Sequence, residues 1–341
     1  MLVADMHADT LLWRRSLVER SERGMVDLPR LLEGNYALQV FSSVTKTPRH
    51  QNYNSNPADT DNITLLTIVQ LQPPRTWGSL LERSLFHAQK FQRAVENAGG
   101  SLQAVRDPRD LQSLRQARTR QKVVGGVLSI EGLQDLEGKL ENLDVLHAHG
   151  FRMAGLAHFF DNDVSGSMHG VKKGGLTALG RDVLRRMEEL GMIVDVAHAS
   201  HTAVAEILRL AKRPVVSSHG GVQATCKVNR NLTDTEIRGI ARTGGVIGIG
   251  YWEGAVCSLE PRAVARAIAH VVKLVGIDHA ALGSDFDGAV TTGFDASQLA
   301  AVTQALIDQG FSEDDIAKIM GLNLMRVLEQ GMQPRTPATP N

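Results

Sequence analysis

Eight strand-length apolar runs, separated by helical patterns, constrain this chain more than any other feature. They are Leu2–Met6, Ala37–Ser43, Val123–Ile130, Arg152–Ala157, Met192–Ala197, Pro214–Ser218, Gly245–Tyr251 and Ala280–Ser284. Runs such as Met192-Ile193-Val194-Asp195-Val196 carry apolar residues on both faces, as a strand covered on both sides requires. Eight strands alternating with helices point to an α/β fold, a (β/α)8 TIM barrel with parallel strands. The polar residues strengthen this reading. His7, Glu131, His158, His198, His219 and Asp285 each lie at or just beyond the end of a different run. In such a barrel those positions converge on the C-terminal mouth, where active sites are built.

The intervening helices carry end signals. Thr177–Leu190 has apolar residues near helical spacing and is followed by Gly191, a C-cap residue. Ser200 opens Ser200–Leu210 as an N-cap, and Thr233 with Glu236 forms a capping-box pattern. Glu260–Leu274, with Pro261 near its start, and Ser312–Leu328 are two further helices. Residues 45–120 break the rhythm. They are polar, rich in Asn, Gln and Arg, with Pro73-Pro74 in the middle. They read as an elaborated connection between the second and third of these strands, with helices near Asp59–Leu71 and Ser79–Asn97. A structureless loop of that length is uncommon. Residues 1–332 thus form one expected barrel. Gln333–Asn341, with three Pro and two Thr, reads as a loose tail.

Composition excludes several classes. Lys+Arg and Asp+Glu both number 37, so no bulk field holds nucleic acid or an anionic membrane. Aromatic residues are 4%, too few for base-stacking platforms. No apolar run approaches the ~20 residues of a membrane span. Met1–Asp5 lacks a basic or apolar leader pattern. Cys226 and Cys257 are the only cysteines and do not form a CxxC pair. They read as two buried free thiols in a reducing compartment, and the chain as cytoplasmic.

The strand ends suggest a metal site. His7-Ala8-Asp9 places an imidazole and a carboxylate on one strand end, a pairing suited to a divalent transition metal. Glu131, in Ser129-Ile130-Glu131-Gly132, is costly after a buried strand unless paired or coordinated, though it also fits a helix cap or surface turn. One carboxylate can bridge two metals. His198 and His219 end consecutive strands and can share one ion. His158 can stabilise an oxyanion. Asp285, in Gly283-Ser284-Asp285-Phe286-Asp287-Gly288, can shuttle a proton, while Asp287 is a rival that can instead brace the turn. Arg230, followed by Asn231, can grip a carboxylate with paired hydrogen bonds, but taken alone it reads as an ordinary surface arginine. His87, His147, His149, His270 and His279 read as structural or solvated. His169 and His201 lie near the mouth without a specific role.

At these residues the chain resembles the membrane dipeptidase (renal dipeptidase) family of zinc peptidases in its bacterial, unanchored form. The matching segments are Asp5-Met6-His7-Ala8-Asp9-Thr10-Leu11, Ser129–Gly132, Leu156-Ala157-His158, Ile193–Ser200, Pro214–His219, Arg230–Asp234, Gly244–Gly248 and Gly283–Gly288. They run in family order to the last strand, and Asn323–Leu328 is similar to the closing helix. The resemblance implies that His7 and Asp9 bind one zinc, Glu131 bridges, and His198 and His219 bind the second. It implies that His158 contacts the scissile group, Arg230 with Asn231 binds the C-terminal carboxylate, and Asp285 is the acid/base. Family members cleave dipeptides, often with a C-terminal D-residue, and some open β-lactam rings. Met6 and Ala8 depart from the family's frequent Gly or Asn. Phe159–Gly174 varies among such proteins, and residues 45–120 carry little family signal.

The expected activity is therefore zinc-dependent dipeptide hydrolysis, with a hydroxide bridging two zinc ions as nucleophile. The rivals are a barrel amidohydrolase acting on a cyclic amide or ester, and a silent metal-holding binding protein. Relatives of the first kind often bridge their metals with a carboxylated Lys, where this chain has Glu131. Expected partners are a dipeptide substrate, no nucleic acid and no membrane, with a homodimer left open.

Overall fold

The structure, a computed structural model, describes residues 2–334. Among the described residues there are nine parallel strands: β1 Val3–Ala8, β2 Tyr36–Val44, β3 Leu102–Ala104, β4 Val124–Glu131, β5 Phe151–Gly155, β6 Ile193–Asp195, β7 Val215–Val216, β8 Ile247–Ile249 and β9 Ala280–Leu282. Eight of them follow one another around a barrel in the order β7-β6-β5-β4-β2-β1-β9-β8. The seam between β7 and β8 is closed by a bridge of Ser217 with Ile247. There the Ser217 amide donates to the Val246 carbonyl at 3.1 Å and the Gly248 amide to the Ser217 carbonyl at 2.8 Å. The expected (β/α)8 barrel is the observed fold, and each apolar run contributes one barrel strand.

β3 was not anticipated. Its three residues pair with Val124–Gly126, along the first half of the edge of β4 whose second half pairs with β5. Helix Pro108–Ala117 follows it, capped by a reciprocal Asp107–Asp110 box. Both lie in the polar insertion, which also carries helices Asn62–Val69, Arg75–Gly78 and Leu80–Asn97. Arg83 staples this region. Its buried guanidinium donates to the Thr45 carbonyl at 2.6 Å, to Asp61 Oδ2 at 2.7 Å and to Thr64 Oγ1 at 2.6 Å. A buried hydrogen-bonded cation thus ties the start of the insertion together, while Ala88, Phe91 and Ala94 of helix Leu80–Asn97 and Ile63 bury its apolar face.

The expected caps are present. Thr177, Ser200 and Thr233 each accept an amide from the first turn, and Gly191 ends its helix at φ 72°. The expected helix Ser312–Leu328 is instead interrupted. Glu313–Ala317 and Asn323–Gly331 flank a π-turn at Lys318–Leu322. Here Gly321 packs on the start of β1, where a Cβ would lie 2.8 Å from the Leu2 carbonyl oxygen. Close approach to a strand backbone re-phases the helix.

The free-thiol reading is overturned. Cys226 and Cys257 form a disulfide joining the loop after β7 to the loop after β8. Burial in apolar surroundings is common to free and bonded cysteines, and nothing in their spacing marked a pair 31 residues apart. The bond also removes the ground for placing the chain in a reducing compartment. Among the described residues no helix is long and apolar enough to cross a membrane. Most of the expected tail, from residue 335, lies outside the described residues.

Candidate metal centre

The strand ends bring the expected residues together. His7 and Asp9 leave β1, Glu131 ends β4, His158 follows β5, His198 follows β6, His219 follows β7 and Asp285 follows β9. Glu131 Oε1 is the common point. It lies 2.9 Å from His198 Nε2, 3.3 Å from His219 Nε2, 3.4 Å from His158 Nε2 and 3.7 Å from His7 Nε2. His7 Nε2 is in turn 3.2 Å from Asp9 Oδ1 and 3.8 Å from Asp285 Oδ1. His198 Nε2 and His219 Nε2 face each other at 3.0 Å. All seven residues are buried. The surface-turn reading of Glu131 therefore does not hold.

Backbone and outer contacts aim these groups. Asp5 sits inside the barrel, where its carboxylate accepts from the His7 amide at 3.1 Å, Gln39 Nε2 at 3.1 Å and Ser284 Oγ at 2.9 Å. It thereby ties together β1, β2 and the turn before Asp285. Asp195 accepts from the Ala197 amide at 3.0 Å and the Ser218 amide at 2.8 Å, and from the Ser218 hydroxyl. Ser218 Oγ is 2.8 Å from His219 Nδ1, so Asp195 orients both histidines through their strand ends. His198 and Asp285 adopt φ of 64° and 58°, sparsely populated conformations that cluster at functional sites.

The donor set fits divalent cations. His7 Nε2 and Asp9 Oδ1 are buried without a hydrogen-bond partner among the described residues. Burial, with the Arg230 charge and the neighbouring imidazoles, pushes His198 and His219 well below the usual histidine range, leaving neutral rings with free lone pairs. Burial and the Asp9 charge raise Glu131 well above the carboxylate range, although His7 opposes them. Burial alone would lower His7, but the carboxylates of Glu131 and Asp9 raise it to about 10. Burial raises Asp285 to about 7 against the opposing charge of His7. Carboxylates crowded in a dry site beside the unprotonated imidazoles of His198 and His219 are the pattern that cations relieve.

A cavity of about 680 Å³ opens over this cluster. Asp9, Glu131, His158, His198, Arg230 and Asp285 reach it from the barrel; Tyr53, Ile63 and Leu66 reach it from the insertion, and Trp252 from the loop after β8. Arg230 is no surface residue. It is 2% exposed, and its guanidinium donates to the His219 carbonyl at 2.8 Å with no carboxylate within 4.0 Å among the described residues. Asn231 does not line the cavity. Its amide donates to the carbonyls of Cys226 at 2.8 Å and Ala255 at 2.9 Å, bracing the two disulfide-linked loops.

Asp287 is occupied elsewhere. Its carboxylate accepts from Thr10 Oγ1 at 2.7 Å and the Met25 amide at 2.6 Å, and pairs with Arg15. Of the histidines without an expected role, His169 packs on Phe159 at 4.6 Å and lies 5.2 Å from the His198 ring, helping to build the wall. His201 instead meets Glu236 at 2.6 Å, away from the cluster. Tyr53 and Asp195 were not anticipated as site residues, and His169 was placed near the mouth without a role; Asp195 carried a signal as a charge inside an apolar run.

A parallel barrel with clustered histidines and carboxylates at its C-terminal mouth defines a metal-dependent hydrolase. Comparison with known proteins narrows the class. The sequence model of the membrane dipeptidase family, peptidase family M19, matches residues 1–338, and the chain belongs to that family. It is 28% identical to the dipeptidase aclJ of Aspergillus oryzae over 96% of this chain and 77% of that one. It is 27% identical to the dipeptidase tcpJ of Claviceps purpurea over 90% of this chain and 69% of that one. A metallopeptidase from Rhodobacter sphaeroides, solved with a phosphinate mimic of the dipeptide L-Ala-D-Ala, superposes with a TM-score of 0.81 at 23% identity, covering 97% of this chain and 99% of that one. The protein is therefore a metallo-dipeptidase-family hydrolase acting on peptide bonds.

Proposed function

We propose that this chain hydrolyses dipeptides at a centre of two zinc-class ions, one held by His7 and Asp9, one by His198 and His219, with Glu131 shared. The carrying observation is the position of Glu131 Oε1, within 3.7 Å of His7, His198 and His219 on both sides of the cluster. Ions held by these residues would supply Lewis-acid polarisation of a carbonyl and a hydroxide nucleophile, read here as bridging the two ions, at neutral pH. The protein's own groups do the rest. His158, beside Glu131 at 3.4 Å, faces the place where charge develops on the scissile oxygen. Asp285, at the cavity edge, takes a proton from the attacking water and returns it to the departing amine. Arg230 receives the substrate's C-terminal carboxylate, the anion its buried guanidinium lacks. The phosphinate mimic of L-Ala-D-Ala bound by the Rhodobacter protein supports acceptance of a C-terminal D-residue here as well.

Elemental analysis of protein purified without chelator, paired with a panel of L,L- and L,D-dipeptides, lactones and cyclic amides, tests the reading. Two ions per chain and turnover confined to dipeptides are expected. One ion after zinc reconstitution sinks the binuclear centre, and preference for a cyclic amide sinks the dipeptidase.

A further inference from the structure

The carboxylate grip has a second half on the opposite wall. Residues 45–61 cross the mouth as a strap between β2 and helix Asn62–Val69. The strap is fastened to the loop after β5: Asn56 donates to the His169 carbonyl from its amide at 2.8 Å and from Nδ2 at 3.0 Å. His169 Nδ1 lies 3.0 Å from the Tyr53 carbonyl oxygen. These contacts hold the Tyr53 ring against Phe159, stacked at 6.2 Å and 16°, with its hydroxyl in the cavity beside Arg230 and Trp252. Trp252 links the two, its ring lying 5.9 Å from the Arg230 guanidinium carbon and its Nε1 bonded to the Tyr53 hydroxyl.

The hydroxyl has a defined orientation. Trp252 Nε1 donates to Tyr53 Oη at 2.9 Å. An indole can only donate, so this contact consumes a lone pair of the phenol and leaves its proton free. No acceptor for that proton lies among the described residues. The loop after β8 is shaped around the arrangement. At Gly254 a Cβ would sit 2.6 Å from Tyr53 Oη and 2.7 Å from Trp252 Nε1, so any side chain there would expel the phenol. The disulfide of Cys257 and the brace of Asn231 on Ala255 hold this glycine in place.

We propose that Tyr53 is a specificity-determining residue whose hydroxyl, oriented by Trp252, donates to the same substrate carboxylate that Arg230 receives. This rests on the dipeptidase reading of the site and deepens it. A phenol and a guanidinium, both donors, converge on one group; a carboxylate satisfies both, whereas a terminal amide turns its own N–H groups towards one of them. Because Tyr53 stands on the strap rather than the barrel, the strap sets the distance between the metal cluster and the carboxylate.

The test compares Tyr53→Phe, Trp252→Phe and Arg230→Met in zinc-loaded protein, on a dipeptide and its C-terminal amide. Tyr53→Phe keeps the stacked ring, so zinc content and melting temperature are expected at wild-type values. KM for the free dipeptide is expected to rise about 10- to 100-fold, as for losing a hydrogen bond to a charged group, with kcat within about threefold. The preference for free acid over amide narrows accordingly. Trp252→Phe is expected to give a smaller rise in KM. Tyr53→Phe with unchanged KM and selectivity, beside an Arg230→Met that loses both, overturns the role of Tyr53 alone. If Arg230→Met also leaves both unchanged, the carboxylate reading of the site falls with it.

Discussion

Replacing Arg230 by Met separates a substrate-binding cation from a structural one, because the two roles move stability and activity differently. The guanidinium is 2% exposed and has no carboxylate within 4.0 Å among the described residues. Burial without a counter-ion lowers its pKa and costs folding free energy, of the order of several kcal/mol for an uncompensated ion. What it returns in the free enzyme is its hydrogen bond to the His219 carbonyl, worth about 1 kcal/mol, a long contact with His198 Nε2 at 3.5 Å, its place over the Trp252 ring and the more distant attraction of Asp285 and Glu131, which together fall short of a direct counter-ion. An unbranched apolar side chain of similar reach should therefore leave the melting temperature unchanged or higher. Activity should move the other way. Truncating one partner of a buried charge pair costs roughly 2–5 kcal/mol, so kcat/KM on a free dipeptide should fall about 30- to 4,000-fold. The same variant should lose little on the dipeptide amide, which never had the charge. Thermal melts and kinetics on both substrates at matched zinc content decide the matter. A lower melting temperature with equal losses on acid and amide would show that Arg230 holds loops rather than substrate.

Asp285→Asn should lower kcat by about 10²–10⁴ with zinc content retained, whereas Asp287→Asn should act through stability, since Asp287 is spent on Thr10, Met25 and Arg15; the reverse pattern in kinetics and melts would exchange their roles. Thiol titration of the denatured chain should find no free thiol before reduction and two after it, and Cys226→Ala with Cys257→Ala should cost about 3–4 kcal/mol in urea melts for a loop of this length. Two reactive thiols without reductant would refute the bond. Asp135 is pushed up to about 7 by burial, against the hydrogen bond from Ser84 and aided by the Glu137 charge. Its folded pKa exceeds its unfolded value, so its stabilisation is full below pH ~4 and lost as pH rises through 7. Asp135→Asn should thus flatten the fall in melting temperature between about pH 4 and 7; an unchanged slope would count against a protonated Asp135.

The barrel and the metal cluster were legible because parallel strands buried on both faces leave continuous Val/Ile/Ala runs, and an ionisable residue at such a run's end is conspicuous. The ends of the last five strands, β5 to β9, were drawn too long for a physical reason, whereas β1, β2 and β4 run one or two residues further than drawn. Met192–Ala197 reads as one run, yet the ladder stops at Asp195, whose carboxylate turns back to accept from Ala197 and Ser218. The residues beyond leave the sheet to aim His198. Arg230 looked like a surface residue because its burial comes from distant loops joined by Cys226–Cys257 and Asn231. Tyr53 lies in a polar stretch with no period, and its place is fixed by His169, to which Asn56 fastens the strap, and by Trp252, both far away in sequence.

The neighbours of β1 have a consequence for how the chain is made. β1 pairs with β2 on one side and with β9 on the other, through Asp5 and Leu282. β2 follows within some thirty residues, but β9 leaves the ribosome roughly 275 residues later, about 15–55 s at ordinary translation rates. Throughout that interval β1 presents an open hydrogen-bonding edge bearing Val3, Ala4 and Met6, a template for pairing with another nascent chain. Asp5 is the one charge set between them. Until Ser284 arrives to donate to its carboxylate, any strand that docks on this edge must bury an anion beside it. The residue that later aims His7 thus guards the half-built barrel, keeping its first strand available for its last.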